Sequence, residues 1–299
     1  MHKTNHCFNS PLRYPGGKAI LANFFKTVLT NNGLLDGDYV ELYAGGAGIA
    51  WSLLFEEYVQ CIHINDLNKA VFSFWRSVIE NTENLCRLIK DTPITIEVWH
   101  RQKEIQKDPE NHSDIELGFS TFFLNRTNRS GIISGGVIGG KDQSGSWKLD
   151  ARFNKTDLIF RIQRIARYAS RIKLYNLDAA VFINKNLPDL PIRTLVYLDP
   201  PYYFKGRGLY EDHYTKDDHA EIANLVRTDI RQPWIISYDN VDEITQLYQD
   251  CQAINYDLSY STQERYAGSE VMFFSDTVRV PNVVHPARVK LPLKAVPLF

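Results

Sequence analysis

Residues Asp38-Tyr39-Val40-Glu41-Leu42-Tyr43 run directly into Ala44-Gly45-Gly46-Ala47-Gly48, and an apolar stretch through Trp51, Leu53, Leu54 and Phe55 follows. An apolar strand that empties into a glycine turn and then a helix is the first βα unit of a nucleotide-type α/β fold. The next segment, Val59-Gln60-Cys61-Ile62-His63-Ile64-Asn65-Asp66, reads as a second strand ending in an acid. In such folds an acid about 20 residues beyond the glycine turn takes ribose hydroxyls. Asp66 is equally suited to cap the helix-like stretch behind it, and the two roles are compatible.

The rhythm returns in the second half of the chain. Ile172-Lys173-Leu174-Tyr175-Asn176-Leu177-Asp178 is a third strand ending in an acid, and Trp234–Asp239 is a later one. Thr215-Lys216-Asp217-Asp218 reads as a capping-box start to a helix carrying Ile222 and Leu225. Two more strands are expected near Tyr256 and at Met272–Phe274. Between about residues 70 and 170 the alternation breaks, so that segment reads as an insertion. Ile115, Phe119, Phe122 and Phe123 fit one helix face there. Six of the 17 glycines then fall between Gly131 and Gly145, a loop either loose or shaped for close approach. A basic helix follows, with Leu158, Ile162, Ile165 and Ala169 as its apolar stripe and Thr156 placed to cap it. Lys148 to Lys173 holds eight Lys or Arg against two Asp, with Arg164, Arg167 and Arg171 expected on one face. A solvated face is the ordinary reading of a charge run. In a chain of net charge −1 this local excess points instead to phosphate contact.

Two stretches carry the chemistry. The apolar run Leu195-Val196-Tyr197-Leu198 stops at Asp199-Pro200-Pro201-Tyr202. Proline fixes its own φ, lacks an N–H and pushes the residue before it out of the helical region, so two in a row make a stiff loop. That loop holds the Asp199 carboxylate, the Pro200 carbonyl and the Tyr202 ring together. Two acceptors beside an aromatic face suit a planar ligand carrying an amino group. Near the start, Pro11-Leu12-Arg13-Tyr14-Pro15-Gly16-Gly17-Lys18 precedes Leu21, Phe24, Phe25 and Val28 at helical spacing. Backbone N–H groups and a lysine at a helix start suit an anionic group. The stretch is not a Walker A loop, which needs glycine where Leu12 stands and Ser or Thr where Ala19 stands.

Composition sets the outer bounds. A chain of 299 residues with 44% hydrophobic and 23% charged residues has the make-up of a soluble globular protein. The four cysteines are scattered, without a CxxC pair, which fits a reducing cytoplasm. The eight histidines lack zinc-like spacing, with His213 and His219 read as loop and helix-surface residues and no metal expected. No segment has the apolar length of a signal peptide or membrane span. Beyond Val280 the chain has four prolines and no acid, and reads as an extended, partly disordered tail.

The order Pro-Leu-Arg-Tyr-Pro-Gly-Gly-Lys, glycine turn, Asp66, insertion, Asp-Pro-Pro-Tyr resembles the alpha group of Dam-type DNA adenine N6-methyltransferases, over roughly residues 11 to 276. The Asn125–Gly131 segment is similar to the start of that family's target-recognition hairpin. One position departs: the family's turn commonly reads aromatic-x-Gly-x-Gly, and Ala47 stands at the second glycine counted from Tyr43 and Gly45. Gly46 and Gly48 offer the same spacing one residue later. The resemblance implies an α/β fold with a Rossmann-like, doubly wound sheet binding S-adenosylmethionine (SAM) and an inserted, mainly helical target-recognition domain. The catalytic domain would span 11–70 and 171–280, the DNA-recognition insertion 71–170 and the tail 281–299. Tyr14 and Lys18 would line the methionine end of SAM. Glu41 through Gly48, with Gly45 and Gly46, would pass beneath it. Asp66 would take the ribose and Asp178 the region of the cofactor's adenine.

Asp199, Pro200 and Tyr202 would hold the target base, with Asp199 also bordering the cofactor. Asn125, Arg126, Arg129, Lys141, Arg164 and Arg167 would contact DNA. The expected partner is double-stranded DNA, with a cognate restriction endonuclease as a further candidate and a monomer or weak dimer as the assembly. The expected setting is a bacterial or phage-type cytoplasm. N4-cytosine and RNA substrates, and a catalytically idle DNA-binding module, stay open at this point. A nicotinamide-dependent dehydrogenase would leave Asp-Pro-Pro-Tyr, Gly-Gly-Lys and the basic insertion unexplained.

Overall fold

The computed structural model describes residues 9–14, 17–203, 214–261 and 265–291. Five strands run parallel: β1 (Gly37–Glu41), β2 (Val59–Asn65), β3 (Ile172–Tyr175), β4 (Leu195–Leu198) and β5 (Trp234–Asp239). Two more, β6 (Gln252–Ser261) and β7 (Arg265–Phe274), pair antiparallel with each other, and β7 pairs antiparallel with β5. The seven-stranded order is β3-β2-β1-β4-β5-β7-β6. The expected strands are all present, and the sheet is Rossmann-like with helices on both faces.

Period-2 alternation decides which helix meets which face. Tyr39, Leu195, Tyr197, Met272 and Phe274 bury one face. It is covered by α1 (Ala22–Asn31), α2 (Gly48–Phe55) and α3 (Lys69–Glu80), whose Phe25, Trp51 and Phe74 join the same cluster. Val40, Leu42, Val196, Leu198, Val271 and Phe273 bury the other. Onto it pack α8 (Ala179–Lys185), α9 (Lys216–Thr228) and α10 (Asp242–Leu247) through Phe182, Ile222 and Ile244.

The segment between β2 and β3 is helical beyond α3: α4 (Thr82–Asp91), α5 (Ile96–Lys107), α6 (Asp114–Thr127) and α7 (Lys155–Ala166). Phe119, Phe122 and Phe123 of α6 and Ile162 of α7 belong to the same buried cluster as Phe25 and Tyr197. The helical segment therefore continues one sheet face. Its glycine loop is shaped. The Gln143 side chain donates to Ile138 O (2.8 Å) and Gly140 O (2.6 Å) and accepts from Leu149 N (2.9 Å). Among the described residues no helix is long and apolar enough to cross a membrane.

Several local expectations are corrected. Asn68, not Asp66, caps α3, accepting from Ala70 N and Val71 N. Asn154, not Thr156, caps α7. The Thr215–Asp218 capping box is present. His219 is buried rather than on the helix surface, packed among Tyr203, Tyr214 and Tyr238; His213 lies outside the described residues. Arg171 does not share a face with Arg164 and Arg167. It lies past the end of α7 and donates to Val59 O (2.8 Å) and Gln60 O (2.6 Å). The tail is docked through residue 291: Asn32 accepts from Arg279 N (2.7 Å), Asn23 donates to Val289 O (3.1 Å), and Val283 and Ala287 pack on the core.

One buried side chain ties the strand ends together. Asn65, 1% exposed, donates to Leu42 O (3.0 Å) and Leu177 O (2.9 Å) and accepts from Leu177 N (3.0 Å). Replacing it with an isosteric apolar residue strands these backbone groups, at about 1–3 kcal/mol each. Asn65→Leu is expected to lower the unfolding free energy by about 3 kcal/mol, read as a lower urea midpoint at unchanged m-value.

Candidate active site

The C-terminal ends of β1 to β5 meet along one edge, where ligands of open α/β sheets bind. At the end of β1, Gly45 has φ +45°, and a Cβ there would lie 2.7 Å from the Tyr14 ring. Glycine is required so that Tyr14 can lie across the turn. Ala47 adopts the left-handed conformation (φ 48°) directly before α2. A methyl group there costs about 1–2 kcal/mol relative to glycine, so the family's glycine is replaced by strain rather than by a different turn. Gly48 lets α2 approach the 3-10 turn Lys18–Leu21, since a Cβ would sit 2.8 Å from that of Ala19.

Asp66 closes the turn from the side. Its Oδ2 accepts from Gly45 N (2.8 Å) and its Oδ1 from Asn68 N (3.0 Å). Asp178 caps α8 through Oδ1, accepting from Ala180 N (2.9 Å) and Val181 N (3.2 Å). Glu41 lies beneath the turn, 5% exposed, its Oε2 accepting from Ala50 N (3.3 Å). Burial, with the nearby Asp199 charge adding to it and the Ala50 hydrogen bond opposing it, pushes its carboxyl up to about 8.

The loop after β4 holds the second half of the site. Asp199 Oδ1 accepts from Ser237 Oγ (2.7 Å), which is itself bonded to Tyr197 OH (2.7 Å). Lys18 Nζ stands 3.2 Å from the same Oδ1 and 3.4 Å from Glu270 Oε1. It also donates to the Tyr202 hydroxyl, which donates to Glu270 Oε1. Tyr256 OH donates to Glu270 Oε2 (2.7 Å). Tyr203 N donates to Asp239 Oδ1 (3.0 Å), holding the loop against the end of β5. Among the described residues neither Asp199 Oδ2 nor the Pro200 carbonyl has a hydrogen-bond partner. The structure thus sets Lys18 against the Asp-Pro-Pro-Tyr loop. Tyr14, Gly45 and Asp66 form a second group beside it.

The donor set fits a cationic nucleoside cofactor. Two carboxylates at neighbouring strand ends, Asp66 and Asp178, suit hydroxyl and amine donors. With Glu41 retaining its proton at neutral pH, one ammonium, Lys18, faces two acids, Asp199 and Glu270. That balance favours a ligand bearing positive charge.

The basic side divides. Arg129, Lys141 and Arg167 are exposed. Arg164 lies over the Phe55 ring, 4.0 Å from its centroid, and bonds Asn9. Asn125 has a different task from the DNA contact expected of it. It is 1% exposed, accepts from Arg13 N (2.8 Å) and donates to Arg13 O (2.7 Å) and Gly131 O (2.8 Å). It fastens the Tyr14 stretch to the helical segment. Arg126 is 8% exposed, its Nε unbonded among the described residues, with Arg13, Arg161 and Arg152 as neighbouring positive charges and Asp157 as an opposing negative one. Burial first, then the positive charges, lowers its guanidinium to about 9.

Sequence reading missed Glu270, Tyr256, Ser237 and Asn65 as parts of this end. A signal existed for Glu270: an acid directly before Val271-Met272-Phe273-Phe274 is out of place in a buried strand unless it is paired. Tertiary structure also groups Asp38, Cys61 and His63, whose spacing gave no cue. There His63 is bonded to Asp38 (3.2 Å) and Tyr175 (3.0 Å).

Glu41 yields a pH prediction. Its folded value lies above the unfolded one, so the unfolded chain releases its proton first as pH rises. Glu41 thus lowers stability progressively from about pH 4.5 to about 8, and the deficit is constant above that. Glu41→Gln, which keeps an acceptor for Ala50 N, is expected to stabilise the protein at pH 8.5 but not at pH 4, measured by denaturant titration at both.

Residues 14–262 match the family of D12 class N6 adenine-specific DNA methyltransferases. The chain is 22% identical over 247 residues to the Retron Ec67 DNA adenine methylase of Escherichia coli, covering 80% of each. Similar solved structures include a putative RNA methyltransferase from Pyrococcus horikoshii, with TM-score 0.42, 8% identity and coverage of 88% of this chain and 85% of that one. An rRNA methyltransferase from Streptomyces viridochromogenes has TM-score 0.37, 10% identity and coverage of 91% and 90%. The family match contains the glycine turn, Asp66, the helical segment and the Asp-Pro-Pro-Tyr loop in one span. The chain belongs to the D12 class N6 adenine-specific DNA methyltransferase family.

Proposed function

We propose that the protein moves a methyl group from SAM to the N6 amino nitrogen of an adenine turned out of double-stranded DNA. The observation that carries this is the pair of acceptors left unbonded among the described residues, Asp199 Oδ2 and the Pro200 carbonyl, beside the ring of Tyr202 held by Lys18 and Glu270. An exocyclic amine has two hydrogens to give, and this loop offers two places to give them. Accepting both draws electron density onto the nitrogen and aims its lone pair. Bound SAM supplies the methyl group, already activated on a sulfonium. Placement and electrostatics by the chain's own groups then account for the remaining rate. Asp199 Oδ2 also stands where it can take the proton that the methylated amine gives up.

A base inside a duplex hides its amino group and must be extruded, which costs a few kcal/mol. Stacking on Tyr202 returns about 1–3 kcal/mol. Asp66 and Asp178 are assigned to the cofactor's ribose and adenine, and Tyr14, Lys18, Glu41, Gly45 and Gly46 to its methionine side. On this reading residues 11–70 and 171–280 carry chemistry, and 71–170 carry DNA. The arginine cluster supports the second part. Among the described residues Arg13, Arg161 and Arg152 surround the buried guanidinium with only Asp157 as a neighbouring acid, an excess of positive charge that a backbone phosphate would offset. Exposed Arg129, Lys141 and Arg167 extend the basic surface beyond it.

Asp199→Ala is expected to cut methylation of DNA by about 10²–10³-fold or more while SAM still binds, checked by tritium transfer and by calorimetry. Near-normal turnover would defeat the assignment. Tyr202→Ala is expected to abolish the fluorescence rise of 2-aminopurine placed at the target adenine; an unchanged rise would remove the stacking role.

A further inference from the structure

We propose that Glu270 is a positioning residue for the target-base loop: it holds the Lys18 ammonium and the Tyr202 hydroxyl so that Asp199 Oδ2 stays open to the substrate amine. The inference rests on the proposed function of that loop. It concerns a residue beyond the span matched to the family, which ends at 262.

Alternation along β7 aims Glu270 at the site. Val271 and Phe273 face one cluster and Met272 and Phe274 the other, so Glu270 continues the second row, on the side of α1 and the Lys18 turn. The residue is 0% exposed. A carboxylate removed from water this completely needs a counter-charge and hydrogen-bond donors. Lys18 Nζ at 3.4 Å, Tyr202 OH and Tyr256 OH at 2.7 Å supply them.

Lys18 is therefore shared. Its ammonium lies 3.2 Å from Asp199 Oδ1 and 3.4 Å from Glu270 Oε1. While Glu270 carries its charge, Lys18 is held on the Oδ1 side of Asp199, together with Ser237. Without that charge the ammonium is drawn towards Asp199, where it competes for the oxygen needed by the amine. The hydroxyl of Tyr202, which accepts from Lys18 and donates to Glu270, loses its acceptor at the same time.

The groups facing Glu270 among the described residues are Lys18 from the 3-10 turn, Asp199 and Tyr202 from the loop, Tyr197 on β4 and Tyr256 on β6. Asp239 on β5 stands in register with it. Burial raises the Glu270 carboxyl, Asp199 adds to the rise, and Lys18 opposes it. Protonation of Glu270 thus falls nearer neutrality than for an exposed glutamate. Turnover should decline as pH drops through that step.

The test is Glu270→Gln, which keeps shape and an acceptor but removes the charge. We expect kcat for DNA to fall at least tenfold and the acid limb of the kcat–pH profile set by Glu270 to vanish. An undiminished kcat overturns the proposal, and so does a reduced kcat with the wild-type acid limb retained, which a merely structural role would give. A crystal structure of the Glu270→Gln protein decides without turnover. Lys18 Nζ should shift to engage Asp199 Oδ2, and an unmoved Lys18 refutes the proposal whatever the wild type does to DNA. Wild type that methylates no adenine is instead a failure of the functional reading, and the position of Lys18 then judges Glu270 alone. If Glu270→Gln does not fold, Tyr256→Phe removes one Glu270 partner and should weaken kcat with the acid limb shifted to higher pH; an unchanged profile counts against the proposal.

Discussion

A buried lysine governs the active end of this protein. Lys18 is 5% exposed, and an ammonium taken from water is tolerated only if its surroundings return the lost solvation. Its partners come from separate parts of the chain: Asp199 and Tyr202 from the loop after β4, Glu270 from the antiparallel strand β7. Satisfying one charge therefore fixes the relative placement of the N-terminal turn, the Asp-Pro-Pro-Tyr loop and the antiparallel strand β7. The stiffness that the two prolines give the loop locally is matched by these contacts from outside.

The acids at this end differ in environment, and the differences set what each can do. Glu41, sealed beneath α2 with one backbone donor, retains its proton at neutral pH. Glu270 is paired with Lys18 and two tyrosine hydroxyls. Asp199 is partly open, one oxygen engaged by Ser237 and Lys18. Asp66 braces the glycine turn through Gly45 N. Carboxyl groups close together would repel if all were ionised, and burial combined with selective pairing prevents that.

The helical segment is joined to this end by hydrogen bonds as well as by packing. Asn125 pairs with both backbone groups of Arg13, and Arg13 Nη1 donates to Asn128 O (3.3 Å). The residue after Arg13 is Tyr14, whose ring lies on Gly45. A load applied to the basic side thus has a short covalent and hydrogen-bonded route to the glycine turn. The docked tail, held by Asn23 and Asn32, braces α1 from behind.

Sequence alone determined the features that depend on near neighbours. Strand alternation, the glycine turn, the stiff loop at Asp199 and the Thr215 capping box follow from φ/ψ sterics and local hydrogen bonds, which a short window contains. Motif order was legible for the same reason. Tertiary structure decided what depends on residues distant in the chain. Asn68 rather than Asp66 became the cap of α3, leaving Asp66 to bond Gly45, because the turn and the second strand meet only in the sheet. Asn125 and Arg126 looked like surface contacts and lie buried, because the segment folds back against Arg13. Glu270 and Tyr256 acquired their part only when antiparallel β7 was laid beside β5, opposite Lys18. Burial and charge pairing are sums over the whole fold, so no local pattern carries them.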